Sequence, residues 1–386
     1  MKIAYIVGKD AAPSEQFIAR EIGALRQLGA EIAVYPVECG AGSSCPWCVL
    51  GEHLWLSCLP RTWRAISRFP FAELAALRPR VWREFVGGIG MASQYARDIE
   101  ARGIERIHAH FATKPAAVGM MIAAILDLPF TLSGHARDVF TDGVALRHKV
   151  RAAEHTVLCT RAALDELLAT LPKALHERLV VIRHGLDRSE FEFRSGWTPH
   201  LPVRLLAAGR FVEKKGFGVL IEAMCELGEC VCEIVGAGAL DRDLRGQADR
   251  LGVCDRVTFS GWLSQEALRA KMSASDMLVA PSVVGRDGDR DGVPNVLLEA
   301  AALGVPLIAC DSGGIGEFVV NCETGRLVAA GDPELLVGAV RSTLATPETT
   351  RRFAENARKK VETEYDLREN ARLLLDLFTR PVRGAR

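Results

Sequence analysis

Hydrophobic positions along the chain alternate between two patterns almost from end to end. Short apolar runs typical of buried strands are separated by stretches in which apolar residues recur with the spacing of an amphipathic helix. This alternation is typical of parallel βαβ units. It predicts strands in the first half at 2–7, 31–37, 106–108, 130–133, 156–159 and 179–182, and in the second half at 203–208, 230–235, 256–259, 277–280, 306–309 and 325–328.

The alternation is interrupted at 191–202, where aromatic residues, arginine, glycine and two prolines replace it, and we interpret this segment as an interdomain linker. A chain of 386 residues is also too long for one ordinary core. We therefore predict an α/β protein with two doubly wound Rossmann-like parallel-sheet domains, at 1–195 and 196–366, which face each other across a cleft. A charged helix is predicted from about 348 to 378, and residues 367–386 are expected to cross back to the N-terminal domain.

Composition and charge narrow the class of protein. Forty-eight basic residues balance 48 acidic ones, so wholesale nucleic-acid binding is not expected. The 11 cysteines are mostly scattered through apolar segments, and the chain opens with a strand pattern rather than a secretory leader. The longest apolar run, 116–126, is shorter than the roughly 20 residues of a membrane-spanning helix. We expect a cytoplasmic protein.

The segment 39–90 does not fit the alternation and is predicted to be an insertion on the N-terminal domain. One interpretation is a metal site, because four cysteines lie close together: Cys39, Cys45, Cys48 and Cys58. A second is a basic, tryptophan-rich surface at 54–86 that contacts the inner face of the cytoplasmic membrane. A third is a loop packed on its own domain, and the sequence leaves all three open.

The strongest chemical signal is residues 286–300 (RDGDRDGVPNVLLEA), a polar, glycine-rich loop that follows a strand and leads into an apolar helix. In doubly wound sheets, ligands bind in the loops after the strands, and a helix N-terminus favours anions. Glu299 lies one turn inside the helix, where a buried carboxylate is costly without a partner. A ribose diol could be that partner; the alternative is a capped helix with a structural glutamate.

A second signal is residues 209–216 (GRFVEKKG), directly after the strand at 203–208. Its cations, with Gly209 and Gly216 allowing close backbone approach, suit a diphosphate, although a basic loop can also be a solvated surface. A third, weaker signal is Gly236 and Gly238, again between a strand and a helix.

The three signals come in order within one predicted domain, and together they predict a nucleotide diphosphate site in the C-terminal half. A nicotinamide dehydrogenase is disfavoured, because neither half has a Gly-x-Gly-x-x-Gly motif with an acid on the following strand.

These motifs resemble those of retaining GT-B glycosyltransferases of family 4, especially enzymes of bacterial exopolysaccharide and colanic-acid-type synthesis. The resemblance is most specific at 291–317, which contains DGVPNVLLEA, GVP and SGGIGE. The family's two acids, separated by seven residues, fall on Asp291 and Glu299, and the first is usually Glu. The resemblance implies a hexosyltransferase-type enzyme that moves a sugar from a nucleotide-diphosphate sugar to a hydroxyl of a glycan or lipid-linked acceptor, with retention, in surface polysaccharide biosynthesis.

The resemblance also implies roles for individual residues. Arg210 and Lys215 would hold the donor diphosphate and stabilise its departure, Asp291 would contact the donor sugar, and Glu299 would bind the ribose hydroxyls. Trp262 would lie beside the base, with a core aromatic as the alternative. The remaining donor-binding candidates are Gly209, Gly236, Gly238, Gly292, Val293, Pro294 and Asn295.

In the N-terminal half, residues 133–138 (SGHARD) follow a strand and resemble the family's histidine motif. The resemblance implies that His135 faces the donor sugar, whereas a hydrogen-bonded structural histidine is the alternative. His108 and His110 are interpreted as structural or acceptor-side residues. Residues 13–18 take the place of the glycine-rich loop that many family members carry.

The expected chemistry needs no metal and no other cofactor, because the cations and helix N-termini stabilise the leaving diphosphate. The donor is a substrate, with a UDP-sugar favoured over a GDP- or ADP-sugar. No residue is a persuasive covalent nucleophile, so same-face attack by the acceptor hydroxyl is expected. Two alternatives remain: a GT-B phosphorylase or hydrolase, and a catalytically silent nucleotide-binding scaffold.

Overall fold

The computed structural model describes residues 1–9, 16–38, 79–141 and 145–380, with the backbone alone for Lys9 and for 79–87. The four clustered cysteines, Cys39, Cys45, Cys48 and Cys58, lie outside the described residues. The predicted membrane-contacting surface at 54–86 also lies outside them, except for the backbone of its last residues. Both interpretations of that segment therefore stay predictions.

The chain forms two compact units, Met1–Gly185 with Leu367–Arg386, and Leu186–Asp366. The strands of unit 1 are β1 (Lys2–Lys9), β2 (Glu31–Glu38), β3 (Arg106–His110), β4 (Phe130–Gly134), β5 (His155–Leu158) and β6 (Leu179–Val181). They form a parallel sheet in the order β2-β1-β3-β4-β5-β6. Its helices are α1 (Gln16–Gln27), α2 (Pro79–Ala101), α3 (Lys114–Leu126), α4 (Ala136–Phe140), α5 (Leu146–Ala152) and α6 (Arg161–Thr170).

Unit 2 repeats this arrangement. Its strands are β7 (Val203–Ala208), β8 (Cys230–Val235), β9 (Val257–Phe259), β10 (Met277–Ala280), β11 (Leu307–Asp311) and β12 (Arg326–Ala329), in the parallel order β12-β11-β10-β7-β8-β9. Its helices are α7 (Phe217–Ala223), α8 (Asp241–Arg250), α9 (Gln265–Ser273), α10 (Asn295–Leu303), α11 (Pro333–Ala345) and α12 (Pro347–Glu364). The last helix of the chain, α13 (Leu367–Thr379), belongs to unit 1.

The predicted fold class is confirmed, because both units are doubly wound parallel sheets. The first and last residues of every predicted strand lie within two residues of those observed. Apolar faces explain why the elements pack as they do. Helix α3 is buried on nearly every face because it packs both on the sheet and on α2. In each sheet the chain reverses its winding direction at one place, between β1 and β3 in unit 1 and between β7 and β10 in unit 2. Ligands of doubly wound sheets bind at such switch points.

The predicted single helix at 348–378 is wrong, because it is two helices, α12 and α13. Tyr365 ends the first: its carbonyl accepts a hydrogen bond from the Leu186 N–H at 2.7 Å instead of continuing the helical ladder. Leu374, Leu377 and Phe378 of α13 then join the core formed by β1 and α1. This tertiary contact leaves no mark on the helical periodicity of the sequence.

The interpretation of 191–202 as a linker is also wrong. The chain passes from one unit to the other between Gly185 and Leu186, and the segment belongs to unit 2. Its aromatic residues Phe191 and Trp197 are buried there, and the Trp197 indole donates to the Asp276 carbonyl at 2.7 Å. Among the described residues, no helix combines the length and apolarity needed to cross a bilayer.

Candidate functional site

Two loops meet at the switch point of unit 2, residues 209–216 after β7 and residues 281–294 after β10. Gly216 has φ +63°, and a Cβ there would lie 1.8 Å from the carbonyl oxygen of Pro281. Only glycine fits this approach. The Val283 N–H also donates to the Lys214 carbonyl at 2.8 Å, so the two loops form one continuous surface.

Four charged side chains of alternating sign, Asp289, Lys214, Asp291 and Lys215, lie in a row across these loops, and we call them the charged row. The Lys214 ammonium is 2.9 Å from Asp289 Oδ1 and 3.5 Å from Asp291 Oδ1, and the Lys215 ammonium is 2.8 Å from Asp291 Oδ2. Side-chain exposure is only 7–8% for the first three and 15% for Lys215. The row ends on the cation that was predicted to hold the diphosphate.

The Asp291 carboxylate accepts hydrogen bonds from the Lys215 ammonium and from the Ser282 hydroxyl, the latter at 2.9 Å. Burial alone would raise the pKa of its carboxyl, but the ammonium groups of Lys215 and Lys214 outweigh burial and hold the pKa below its usual value. The carboxylate is therefore ionised and held in place at neutral pH. Its predicted contact with a donor sugar stays a prediction.

Arg210, the other predicted diphosphate ligand, has an exposed side chain. Within the described part of the chain, its guanidinium has no side-chain partner. Gly209, just before it, is held at the end of β7 by a hydrogen bond from its N–H to the Val235 carbonyl at 2.9 Å. A cation that is solvent-accessible and follows a rigid strand end is suited to meet an anionic ligand.

The glycines after β8 pack against the Arg210 loop. A Cβ on Gly236 would lie 1.8 Å from the Gly209 carbonyl oxygen, and one on Gly238 would lie 2.6 Å from the Phe211 carbonyl oxygen. These two positions therefore require glycine for backbone packing, whatever they do for a ligand. Their donor-binding role remains a prediction.

Helix α10 begins at Asn295, directly after Gly292, Val293 and Pro294, and these four residues are partly exposed. Glu299, inside the helix, is buried to 6% exposure. The SGGIGE segment packs against the loop that precedes α10. Gly313 has φ +61°, and a Cβ there would collide with the Asp291 carbonyl. The same carbonyl accepts a hydrogen bond from the Gly314 N–H at 3.0 Å.

Trp262 is 50% exposed, so its alternative interpretation as a core aromatic is wrong. It follows Gly261, whose carbonyl accepts from the Gly236 N–H at 2.8 Å. The tryptophan thus lies next in sequence to a residue anchored on the β8 loop. A contact with a nucleobase stays a prediction.

Unit 1 carries a different cluster near its own switch point. The His110 Nε2 lies 3.0 Å from Glu21 Oε1, and its Nδ1 lies 3.2 Å from His135 Nε2. The His110 imidazole donates to the carboxylate, so in its neutral form it accepts from the His135 N–H. Tyr5 also donates to Glu21 at 2.9 Å. His108 is fully buried and bonds Thr131 and Ser133 instead.

Burial shapes the charges in this cluster. Burial alone would raise the pKa of Glu21, but the His110 imidazole lowers it to about 2. Burial and the neighbouring imidazoles hold the pKa of His135 and of His108 well below the usual value, and the pKa of His184 falls to about 4 for the same reasons. The cluster is therefore one carboxylate among mostly neutral imidazoles.

His135 is the N-cap residue just before helix α4, and its N–H donates to Asp138 Oδ1 at 2.8 Å. The Ala112 N–H donates to the other oxygen of that carboxylate, and the buried Lys149 donates to the Ala112 carbonyl at 2.7 Å. Burial nevertheless raises the pKa of Asp138 to about 6. The turn that carries His135 is thus held by several buried polar contacts.

Two triads in the described part of unit 1 have ligand atoms within 4.8 Å of one another: His135, Cys159 and His184, and Glu21, His108 and His110. Both have side chains that could ligate a transition metal. Ring nitrogens of His135 and His110 are already engaged with each other and with Glu21.

Sequence reasoning gave no individual role to Lys214, Asp289 or Ser282, although the first two lie in the loops that it singled out. One signal was available: the charges at 213–215 (EKK) are opposite in sign to those of Arg286, Asp289 and Asp291, taken in order. This complementarity could be recognised only if the contact between the two loops was already known.

Known proteins resemble this chain in sequence and in fold. Residues 189–360 match the family model of glycosyl transferases group 1. The chain is 25% identical to a putative colanic acid biosynthesis glycosyltransferase of Salmonella typhimurium, over 98% of this chain and 99% of that protein. It is 30% identical to an alpha-D-kanosaminyltransferase of Streptomyces kanamyceticus, over 68% of this chain and 74% of that protein.

Among solved structures, HepE of Anabaena in complex with UDP-glucose superposes with a TM-score of 0.70 at 16% identity, over 98% of this chain and 99% of that chain. This likeness concerns the fold alone. With the sequence matches, it shows that the chain belongs to the glycosyl transferases group 1 family and is a glycosyltransferase with the GT-B fold.

Proposed function

We propose that this glycosyltransferase moves a sugar from a nucleotide-diphosphate sugar to a hydroxyl of a glycan or lipid-linked acceptor, with retention of configuration, during synthesis of a bacterial surface polysaccharide. The observation that carries the proposal is the switch point of unit 2. There the exposed Arg210 guanidinium, the Lys215 ammonium and the N-terminus of α10 occur on loops that follow adjacent strands. Such a set of positive groups fits a diphosphate.

The proposed reaction breaks the bond between the anomeric carbon and the diphosphate oxygen. Positive charge develops on the sugar and negative charge on the leaving group. Arg210, Lys215 and the helix N-terminus would stabilise that leaving group without reorganisation, which is the role a divalent metal has in other transferases. The acceptor oxygen forms the new bond on the same face of the sugar, and its proton goes to the departing diphosphate.

Specific groups would bind the rest of the donor. We propose that Glu299 accepts hydrogen bonds from the ribose hydroxyls, that the amides around 292–295 meet the sugar and phosphate, and that the half-exposed Trp262 lies beside the base. An exposed aromatic ring is suited to contact a base face. The contact of His135 with the donor sugar stays a prediction from the family resemblance.

Relatives support the donor and the pathway. HepE of Anabaena was solved with UDP-glucose, which favours a UDP-sugar over a GDP- or ADP-sugar. The Salmonella relative is named for colanic acid biosynthesis. An acceptor carried on a lipid would bring the enzyme to the membrane surface, and we propose that contact for residues 54–86.

Calorimetric binding of UDP, GDP and ADP, each with EDTA present, tests the donor site. We expect one nucleotide to bind selectively, and Glu299→Ala to weaken it by about tenfold or more, because a bidentate carboxylate contact with ribose is lost. If none of the three binds, or the variant binds as well as the wild type, the donor assignment fails.

Retention is tested separately through slow hydrolysis of the donor. Proton NMR of the first sugar released, before mutarotation, should show the same anomer as in the donor. Release of the opposite anomer would contradict the retaining mechanism and leave the donor site intact.

A further inference from the structure

The charged row gives Lys214 a place in the donor site that the family pattern does not assign. This inference rests on the proposed function, since it takes Lys215 as a ligand of the diphosphate. Lys214 lies between two carboxylates, 2.9 Å from Asp289 and 3.5 Å from Asp291, and its side chain is 7% exposed. It also donates to the Arg290 carbonyl at 3.3 Å. An ammonium so deeply buried and so fully paired has no surface for a ligand of its own.

We propose that Lys214 is a positioning residue for donor binding, and that it acts on the diphosphate through Asp291 and Lys215. Asp291 lies between the two lysines and is further fixed by the Ser282 hydroxyl at 2.9 Å. Lys215 therefore takes its position from Asp291, and Asp291 takes its position and part of its charge compensation from Lys214. Asp289 anchors Lys214 from the other side.

The charges of the row predict the sign of the change in diphosphate affinity when Lys214 is removed. With Lys214 in place, the two lysines balance the two aspartates. Without it, the charged row keeps two carboxylates and one ammonium, so Lys215 is drawn toward the carboxylates and a surplus negative charge lies near the incoming diphosphate. In a site that is largely excluded from water, one charge at this range changes anion affinity by about tenfold or more.

The same two loops offer a matched control. Glu213, the residue before Lys214, pairs with Arg286 at 3.1 Å, but these side chains are 47% and 93% exposed. An exposed pair of this kind contributes little. A variant of Glu213 therefore removes a charge from the same turn without touching the charged row.

Calorimetry compares the wild type with Lys214→Met, Asp289→Asn, the double variant and Glu213→Gln. The ligands are UDP, GDP and ADP, and the corresponding nucleosides are measured in separate titrations. We expect Lys214→Met to lose about tenfold or more of the affinity for the diphosphate and none for the nucleoside. The double variant should recover most of the loss, because it removes the surplus negative charge. Asp289→Asn alone should bind the diphosphate more tightly than the wild type, because one negative charge near the site is removed; unchanged or weaker binding would contradict the charge balance even if Lys214→Met fails to fold.

Each other outcome has a fixed meaning. Wild-type affinity in Lys214→Met, or equal losses for diphosphate and nucleoside, would overturn the positioning role alone. A loss in Glu213→Gln equal to that in Lys214→Met would do the same. If the wild type binds no nucleoside diphosphate, the proposed function itself fails, and the inference with it.

Discussion

The two units bury polar clusters near equivalent points of equivalent sheets, but they do so by opposite means. In unit 1 the cluster around His110 and His135 holds one carboxylate, Glu21, and burial suppresses the charge of three of its imidazoles, His108, His135 and His184. In unit 2 the charged row keeps four full charges and pairs them. Buried groups must either lose their charge or pair it. The comparison teaches that the same topology accommodates both solutions, and that each is vulnerable to a different perturbation.

The stabilities of the two units should differ most in their response to acid. Folded His108 and His135 stay neutral well below pH 6.5, the ordinary value, while the unfolded chain takes up a proton on each. The unfolded state then binds more protons, so stability falls as pH drops from about 6.5, by up to about 1.4 kcal/mol per pH unit for each imidazole. The pKa of Asp291 lies below 3.8, so its contribution persists until the pH falls below about that value.

Hydrogen exchange by mass spectrometry, corrected for the intrinsic pH dependence, checks this difference. Peptides spanning 106–140 should lose protection between pH 6.5 and pH 4.5, whereas peptides spanning 277–303 should keep theirs. Simultaneous loss in both would mean that the imidazoles do not control the acid response.

Steric crowding should act on unit 2 instead. Gly216→Ala places a methyl group against the Pro281 carbonyl and forces φ +63° on a residue with a Cβ, so we expect a loss of about 3 kcal/mol in the free energy of unfolding. Gly196→Ala is the matched control, because Gly196 has φ +79° but open space around it. That variant should lose only about 1 kcal/mol in urea unfolding. Equal losses would show that backbone conformation alone, and not loop contact, requires glycine at 216.

Removing the partly buried carboxylate of unit 1 should lower the free energy of unfolding by a smaller amount, and through unit 1 instead of unit 2. Glu21→Gln removes the charge that accepts from His110 and Tyr5, and we expect a loss of about 2 kcal/mol at pH 7. The effect should come from unit 1 and leave nucleotide affinity unchanged. Glu31→Gln, at an exposed carboxylate 3.9 Å from Lys2, should change urea unfolding by less than about 0.5 kcal/mol. A comparable loss in both would mean that the buried hydrogen bonds of Glu21 add nothing.

The strands and the glycine-rich loops could be predicted because their signals are local. A buried parallel strand is a short apolar run, and the edge strands β9 and β12 were predicted as well, although most of their residues are not buried. Loops that follow strands in one doubly wound domain must lie at one edge of the sheet, so the neighbourhood of Arg210 and Lys215 followed from order alone.

Contacts between distant residues could not be predicted in this way. Lys214 and Asp289 are paired across two loops, and one charge on a basic turn looks the same whether it is solvated or buried. The end of α12 depends on a hydrogen bond from Leu186, which belongs to the other end of unit 2. The burial of Trp197 was hidden for the same reason: its proline-rich surroundings have the composition of a linker, but its partner Asp276 is far along the chain.

The crowded glycines also determine how this enzyme can be altered. Gly216, Gly236 and Gly313 have no room for even one added carbon, so a mutational library that varies them yields mostly misfolded chains. The exposed apolar side chains of Trp262 and Val284, each about half accessible, carry no such constraint. Laboratory evolution of donor preference therefore has its tolerant positions at the outer side chains of the loops, while their backbone contacts stay constant.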